Sequence, residues 1–235
     1  MLLGRSPLRI SFVGGGTDLE EYHKQYDGYS ISATIDKFTF VAAKLRSDKT
    51  YQGLSPDYHT YFSSKKLQGI RPKVGHEITI TSLREMNFSR GIDMFFSADV
   101  APGSGLGASS SLASNIVNII LKLQKKKWSK HKIAMKVFRI GHDVLKWGIG
   151  KQDEFAAVFG GFNMYKFSKN NVTVTPIQLN KSTLREFEKN SMLFFLGERK
   201  ASSEILKTQI KNIESLNNKT ISALHKVSNL TLEMR

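Results

Sequence analysis

The chain has 235 residues, a formal net charge of +15 and no cysteine. The lack of cysteine excludes disulfide bonds and thiolate metal sites. The 40% share of hydrophobic residues is enough to form a buried core. No apolar run approaches the length of a membrane span, and the N-terminus lacks the hydrophobic segment of a signal peptide. We therefore expect a soluble cytoplasmic protein with no membrane partner.

The positive charge comes mainly from lysines that are spread along the chain. The densest run is Lys125, Lys126 and Lys127, which falls between two predicted helices and is followed by Trp128. Surfaces that follow a nucleic-acid backbone usually add arginine forks and stacking aromatic residues, so no specific nucleic-acid partner is expected. The charge equally suits a phosphorylated small substrate. A basic nucleic-acid-binding module is the alternative that charge alone suggests.

Strands dominate the first part of the chain. Apolar and β-branched runs predict strands at residues 8–13, 29–35, 38–45, 59–62, 77–82 and 93–97. The strands at 29–35 and 38–45 are expected to pair through a short turn at Asp36 and Lys37. The first strand ends in three glycines followed by Thr17 and Asp18, which predicts a tight turn.

Helices are more frequent in the second part. Apolar residues at helical spacing predict helices at 112–123 and 133–144, then a turn at 148–150 and a short helix at 153–159. Strands are predicted at 162–167, 172–176 and 192–196, and helices at 202–216 and 220–232. The last helix carries an apolar stripe that needs a covering partner: Leu224, Val227, Leu230 and Leu232. This order predicts an α+β fold with two layers rather than a doubly wound parallel sheet.

The most informative segment is a glycine- and serine-rich stretch at residues 102–111, between a predicted strand and a long helix. Glycines let the backbone approach a phosphate closely, and the free N–H groups of a helix's first turn point at it. The serine hydroxyls can bond to a nucleotide phosphate or to its magnesium ion. No lysine follows the last glycine, so the segment is not a P-loop. A flexible turn without function is the alternative.

Two further segments carry polar groups suited to chemistry. Asp153 follows a glycine turn and Lys151, at the start of a short helix, where a carboxylate can orient an attacking hydroxyl or accept its proton. Lys151 is expected to keep Asp153 ionised. Arg9, in the first strand, can grip phosphate bidentately, and Thr17 and Asp18 after the glycines can bind sugar hydroxyls. A helix cap and a plain turn are the alternatives for these segments.

Together these segments resemble the GHMP kinase superfamily, and within it the D-glycero-D-manno-heptose 7-phosphate kinases. The resemblance is carried by RSPLRISFVGGGTDL, PGSGLGASSS, GKQDEFAAVFGGFN and LFFLGERKASSEIL. It implies a kinase that uses ATP and Mg²⁺ to phosphorylate the anomeric hydroxyl of a heptose 7-phosphate. It also implies a GHMP-kinase-like nucleotide-binding domain at residues 1–175 and a partial C-terminal domain at 176–235. A homodimer is compatible with it.

The resemblance assigns roles residue by residue. Asp153 matches the catalytic aspartate. The residues that wrap the ATP phosphates are Pro102, Gly103, Ser104, Gly105, Leu106, Gly107, Ala108, Ser109, Ser110 and Ser111. The residues that face the substrate are Arg9, Gly15, Gly16, Thr17, Asp18, Gly161 and Arg199, the last as a candidate for the substrate's phosphate. The candidates for magnesium are Ser109, Ser110 and Asp143.

The sequence departs from the superfamily pattern in three places. The usual magnesium glutamate is absent from the stretch before Asp153, where only Asp143 could serve, from a shifted position. The segment near Arg199 is one residue shorter, and the glycine-rich third motif has no counterpart before Arg235. These departures support one alternative, a truncated, catalytically impaired GHMP-fold protein. The sequence also does not fix the sugar, so a kinase for another sugar such as fucose or galactose is a further alternative.

Overall fold

A computed structural model of the protein describes residues 1–71, 75–195, 197 and 202–234. It has a mixed α+β fold, as predicted. The strands are β1 (Leu2–Val13), β2 (Gly28–Leu45), β3 (Tyr51–Ser55), β4 (Thr60–Ser64), β5 (Ile92–Ala98), β6 (Phe162–Phe167) and β7 (Val172–Pro176). The helices are α1 (Glu20–His23), α2 (Glu77–Glu85), α3 (Ala108–Leu123), α4 (Lys130–Arg139), α5 (Gln152–Phe159), α6 (Lys181–Lys189), α7 (Ser202–Glu214) and α8 (Asn218–Glu233).

The seven strands form one sheet built around β2. Its order is β4-β3-β5-β2-β6-β7, and β1 pairs antiparallel with β2 along most of the length of both strands. β5 pairs with the second half of β2 and β6 with the first half, and among the described residues only the β3–β5 pair is parallel. Helix α3 packs on β1 and β2. This arrangement places the N-terminal ends of α3 and α5 next to β1, where the site lies.

The predicted hairpin at Asp36 and Lys37 is wrong. Residues 28–45 form a single strand of 18 residues, and the partner of both its halves is β1. A two-residue hairpin turn needs a positive φ, and neither Asp36 nor Lys37 has one. The chain therefore continues as one strand, and the irregularity lies in β2 itself, where residues 35–37 lie opposite the single residue Leu8 of β1.

The strand predicted at residues 77–82 is also wrong, because this segment is part of helix α2. The alternation of isoleucine and threonine suggests a half-buried strand. In the structure, however, all residues from 78 to 83 are buried, including Thr79 and Thr81. A helix buried on most sides shows no polar face, so its period cannot be read from the sequence. The core that encloses it includes Ile80 and Leu83 of α2 and residues of α3.

The other predicted elements are found, except the strand at 192–196: residues 192–195 form no strand, and Leu196 lies outside the described residues. The elements α1, β3 and α6 were not predicted. The predicted stripe on the last helix is only partly covered. Leu224 packs with Leu19, Tyr22 and Ile213, whereas Leu230 and Leu232 are exposed. The buried face of α8 instead continues through Ser228 and Thr231.

Candidate active site

The glycine- and serine-rich segment forms a loop that ends in the first turn of α3. Gly103, Gly105 and Gly107 have φ angles of 78°, 77° and 73°, in the left-handed region that favours glycine. Gly107 is the residue before α3, and no side chain caps the helix. The N-terminal amides of α3 and the positive end of its dipole are therefore available to an anion. The loop has the geometry of a phosphate cradle.

A cleft opens beside this loop. Its apolar walls are Ile78, Phe96, Leu112 and Trp147, and Ser109 lies at the end nearest the loop. Polar groups reach it from other lining residues, among them Thr39, Asp57 and Glu77. An apolar cleft with a few polar groups next to a phosphate cradle suits an aromatic base.

Arg9 joins the loop to Asp153. Its Nε donates to one carboxylate oxygen of Asp153 at 2.7 Å and its Nη2 to the other at 2.5 Å. Its Nη1 donates to the Gly105 carbonyl at 2.8 Å, and its backbone N–H to the Leu106 carbonyl at 3.1 Å. Each guanidinium nitrogen thus makes a hydrogen bond within the protein. Arg9 holds Asp153 against the loop, and the substrate-binding role predicted for Arg9 stays a prediction.

Lys151 does not contact Asp153, contrary to expectation. Its side chain is buried, and its Nζ forms an ion pair with Glu20 at 2.7 Å and lies over the ring of Phe138. Burial raises the pKa of Glu20, but the hydrogen bonds from Lys151 and Lys24 outweigh burial and lower it to about 2. Lys151 thus anchors α1 to the start of α5, and the cation beside Asp153 is Arg9.

Thr17 and Asp18 hold the glycine turn in place. The Thr17 hydroxyl donates toward the carbonyls of Gly14 and Tyr29, and Thr17 is fully buried. The Asp18 carboxylate accepts the backbone N–H groups of Gly16 at 3.0 Å and Gln152 at 3.1 Å. Burial raises the pKa of Asp18 to about 6, and the charge of Asp153 acts in the same direction. The substrate contacts predicted for Thr17 and Asp18 stay predictions, and their observed contacts are with the chain itself.

Glu154 is a carboxyl group that contacts α3, and it was not predicted as a site residue. It is buried, and one of its oxygens accepts a hydrogen bond from the Ser110 hydroxyl at 2.9 Å. Its other oxygen has no partner among the described residues. Burial, helped by the charge of Asp153, raises the pKa of Glu154 to about 8. The sequence signal that could have indicated Glu154 as a site residue is its position directly after Asp153, in the first turn of α5.

The three serines of the loop helix have different surroundings. Ser109 is exposed, Ser110 bonds to Glu154, and Ser111 is buried, with its hydroxyl donating to the Ser6 carbonyl at 2.9 Å. Asp143, the predicted magnesium carboxylate, pairs with the neighbouring His142 at 2.8 Å. No group of three or more acidic, histidine or cysteine side chains suited to a metal exists among the described residues. Ser109 is exposed at the start of α3, and the magnesium role predicted for Ser109, Ser110 and Asp143 stays a prediction.

The remaining predicted substrate residues fall in two places. Gly15 is exposed at the tip of the glycine turn, and Gly16 is buried beneath the side chain of Gln209 on α7. Gly161 is exposed after α5 and donates its N–H to the Thr34 hydroxyl at 2.8 Å. Arg199 lies outside the described residues. The site therefore has Arg9 and Asp153 between a phosphate cradle and an open glycine turn.

Comparisons with known proteins agree with this geometry. A model of the GHMP kinases N terminal domain matches residues 75–161. D-glycero-alpha-D-manno-heptose 7-phosphate kinase of Campylobacter jejuni is 28% identical over 237 residues, which cover 98% of this chain and 69% of that protein. No helix in the described part of the chain is long and apolar enough to cross a membrane.

Solved structures show the same fold. A D-glycero-D-manno-heptose 1-phosphate kinase from Bacteroides thetaiotaomicron superposes with a TM-score of 0.77 at 22% identity, covering 97% of this chain and 74% of that one. Galactokinase of Lactococcus lactis, complexed with galactose, superposes with a TM-score of 0.68 at 18% identity, covering 97% of this chain and 68% of that one.

Proposed function

We propose that the chain is an ATP-dependent sugar kinase of the GHMP family, since its residues 75–161 match the model of the GHMP kinases N terminal domain and the heptose 7-phosphate kinase of Campylobacter jejuni is 28% identical to it. The acceptor we propose is the anomeric hydroxyl of D-glycero-D-manno-heptose 7-phosphate, the sugar phosphate named in the Campylobacter relative. The single observation that carries the proposal is the pair of contacts made by Arg9, which we call the Arg9 bridge. Its guanidinium group binds both Asp153 and the Gly105 carbonyl of the phosphate cradle.

The phosphate cradle and the cleft beside it suit a nucleoside triphosphate as phosphate donor. The uncapped start of α3 and the three left-handed glycines offer backbone N–H groups to the phosphates, and the neighbouring apolar cleft suits the base. Mg²⁺ on a nucleotide usually keeps several waters and needs only one or two protein ligands, so the exposed Ser109 hydroxyl fits it without a carboxylate cluster. When bound, the ion would neutralise charge on the phosphates.

The transfer is a direct displacement. The acceptor oxygen forms a bond to the γ-phosphorus, the bond from that phosphorus to the β–γ bridging oxygen breaks, and ADP leaves. The proton of the acceptor hydroxyl passes to Asp153, whose carboxylate Arg9 holds by both oxygens. Such catalysis depends mainly on positioning and on stabilising charge, and Arg9 serves the first need.

We assign residues 1–175 to the nucleotide-binding domain and residues 176–235 to part of a second domain. This division stays a proposal. Helices α7 and α8 of the second part pack against α1 and β2 of the first. The acceptor side of the site would therefore combine elements of both parts.

The test is turnover of the Asp153→Asn variant in an ADP-release assay with ATP, Mg²⁺ and three acceptors: the heptose 7-phosphate, galactose and fucose. We expect activity with the heptose 7-phosphate and a loss of at least about a hundredfold in kcat for the variant. Asp48→Asn is the matched control, since Arg46 grips Asp48 with the same two-nitrogen fork at 2.7 and 2.9 Å at the surface. Equal rates in Asp153→Asn and wild type would remove Asp153 from the mechanism.

A further inference from the structure

Two glutamine side chains flank the exposed glycine turn. A Cβ on Gly16 would lie 2.6 Å from Nε2 of Gln209, so the Gln209 amide rests directly on that glycine. A Cβ on Gly15 would lie 3.8 Å from Nε2 of Gln152 and would meet no other atom within 4 Å. The surface of Gly15 is thus open to solvent. The Gln152 amide lies near it, and the Gln209 amide lies over the adjacent Gly16.

The Gln152 side chain is fixed by the same strand that fixes Asp153. Arg9 and Ser11 lie two positions apart on β1 and bind consecutive residues of α5, since the Ser11 hydroxyl donates to Oε1 of Gln152 at 2.9 Å. The backbone N–H of Gln152 is also held, by Asp18. The Gln152 amide is therefore set in place beside the carboxylate that would receive the acceptor's proton.

Both amides keep hydrogen-bonding capacity for a ligand. Among the described residues, the amide nitrogen of Gln152 donates to no protein group, and the side chain of Gln209 makes no hydrogen bond. Primary amides both donate and accept, and they are neutral. They match the hydroxyl groups of a sugar better than they match a phosphate, which favours charged or backbone N–H donors.

We propose that Gln209 is a specificity-determining residue that binds an acceptor hydroxyl over the glycine turn, opposite the pre-positioned amide of Gln152. This inference rests on the proposed kinase function and adds a residue from α7 to its acceptor site. A site built to hydrogen-bond a hydroxyl rejects analogues that lack it far more strongly than an apolar pocket does. Gln209 therefore helps to select which sugar is phosphorylated.

The experiment compares wild type with Gln209→Leu, which keeps the size of the side chain and the helix but removes the amide. With heptose 7-phosphate as acceptor, we expect kcat/KM to fall about 10- to 100-fold, mainly through KM for the sugar, with KM for ATP unchanged. Gln68→Leu is the matched control, since Gln68 is an exposed glutamine that follows β4 at the far edge of the sheet.

A set of monodeoxy acceptors provides the specificity readout. Removal of the hydroxyl that Gln209 binds should cost wild type about as much as the Gln209→Leu substitution does, and should cost the variant little more. Active wild type with unchanged acceptor kinetics in Gln209→Leu would overturn this inference alone. No turnover by wild type with any acceptor, together with no ATP binding, would overturn the kinase function and this inference with it.

Discussion

Gly15→Ala tests the acceptor side of the site with the least disturbance to the fold. Gly15 is exposed, its φ lies outside the left-handed region, and only the Gln152 amide lies within 4 Å of an added Cβ, at 3.8 Å. The methyl group therefore fits the folded protein without moving any neighbour. The methyl group does, however, occupy the surface of Gly15 where we propose that the sugar binds.

The expected effect follows from this geometry. Forcing an extra methyl group into a fitted site costs about 1–3 kcal/mol. If that cost falls on the bound sugar, KM for the acceptor rises about 5- to 150-fold. The proposed ATP site lies on the other side of Arg9 and Asp153, so KM for ATP should not change. Since alanine at a permitted φ restricts the unfolded chain, the free energy of unfolding should rise by about 0.4–1 kcal/mol.

The assay is steady-state ADP release at varied sugar and at varied ATP, together with urea unfolding. Gly69→Ala is the matched control, because Gly69 is also exposed, has no positive φ and would place its Cβ no closer than 4.0 Å to another residue. It should show the same change in stability and no change in kinetics. A Gly15→Ala variant with wild-type KM for every acceptor would show that the sugar does not bind at this turn.

Two further predictions concern the buried groups around Asp153. Arg9→Lys keeps the charge but loses the two-nitrogen fork, so kcat should fall about 10- to 100-fold with little change in KM for ATP, whereas Arg46→Lys, at the surface fork, should leave kcat unchanged. A kcat within twofold of wild type would contradict the positioning role of Arg9. The pKa of Glu154 is raised from 4.5 to about 8, so between these pH values the folded protein holds a proton that the unfolded chain releases. Wild type should therefore lose stability relative to Glu154→Gln as pH rises from 5 to 8, by at most about 1.4 kcal/mol per pH unit. Urea midpoints at pH 5, 6.5 and 8 measure this, and a constant difference would refute it.

The shape of the glycine- and serine-rich loop could be predicted from sequence because its signal is local. Glycines at alternate positions before an amphipathic run specify both the left-handed turns and the helix that follows, within about ten residues. The short helix that begins at Gln152 was predicted one residue late for the same reason: its glycine turn and apolar spacing are contiguous. Features that depend on neighbouring residues alone are those that a sequence shows directly.

The misassigned elements depend on long-range packing. Residues 77–82 alternate like a strand, but burial of both the isoleucines and the threonines gives a helix. The two runs around Asp36 look like a hairpin, but a single partner strand spans both of them. In each case a tertiary contact overrides the local preference, and the contact involves residues distant in the sequence.

The partners of the charged groups were missed for a related reason. Lys151 is two residues from Asp153, and proximity in sequence suggested an ion pair between them. Instead Lys151 turns to Glu20, and the partner of Asp153 is Arg9, 144 residues away in the chain. On a helix, residues two apart point in different directions, so sequence neighbours rarely share a site. Glu154 likewise reaches Ser110, 44 positions away, and not a neighbour.

The Arg9 bridge explains how one strand can align three elements that are far apart in the chain. A strand presents alternate residues on one face, so Arg9 and Ser11 both point at the start of α5. Arg9 donates hydrogen bonds to Asp153 and to the Gly105 carbonyl of the loop, and Ser11 donates one to Gln152. The distance between the phosphate cradle and the carboxylate is thus set by one guanidinium group, and the acceptor turn begins where the same strand ends. In the proposed kinase, one strand would therefore align the phosphate cradle, the carboxylate and the acceptor turn, as phosphoryl transfer that depends mainly on positioning requires.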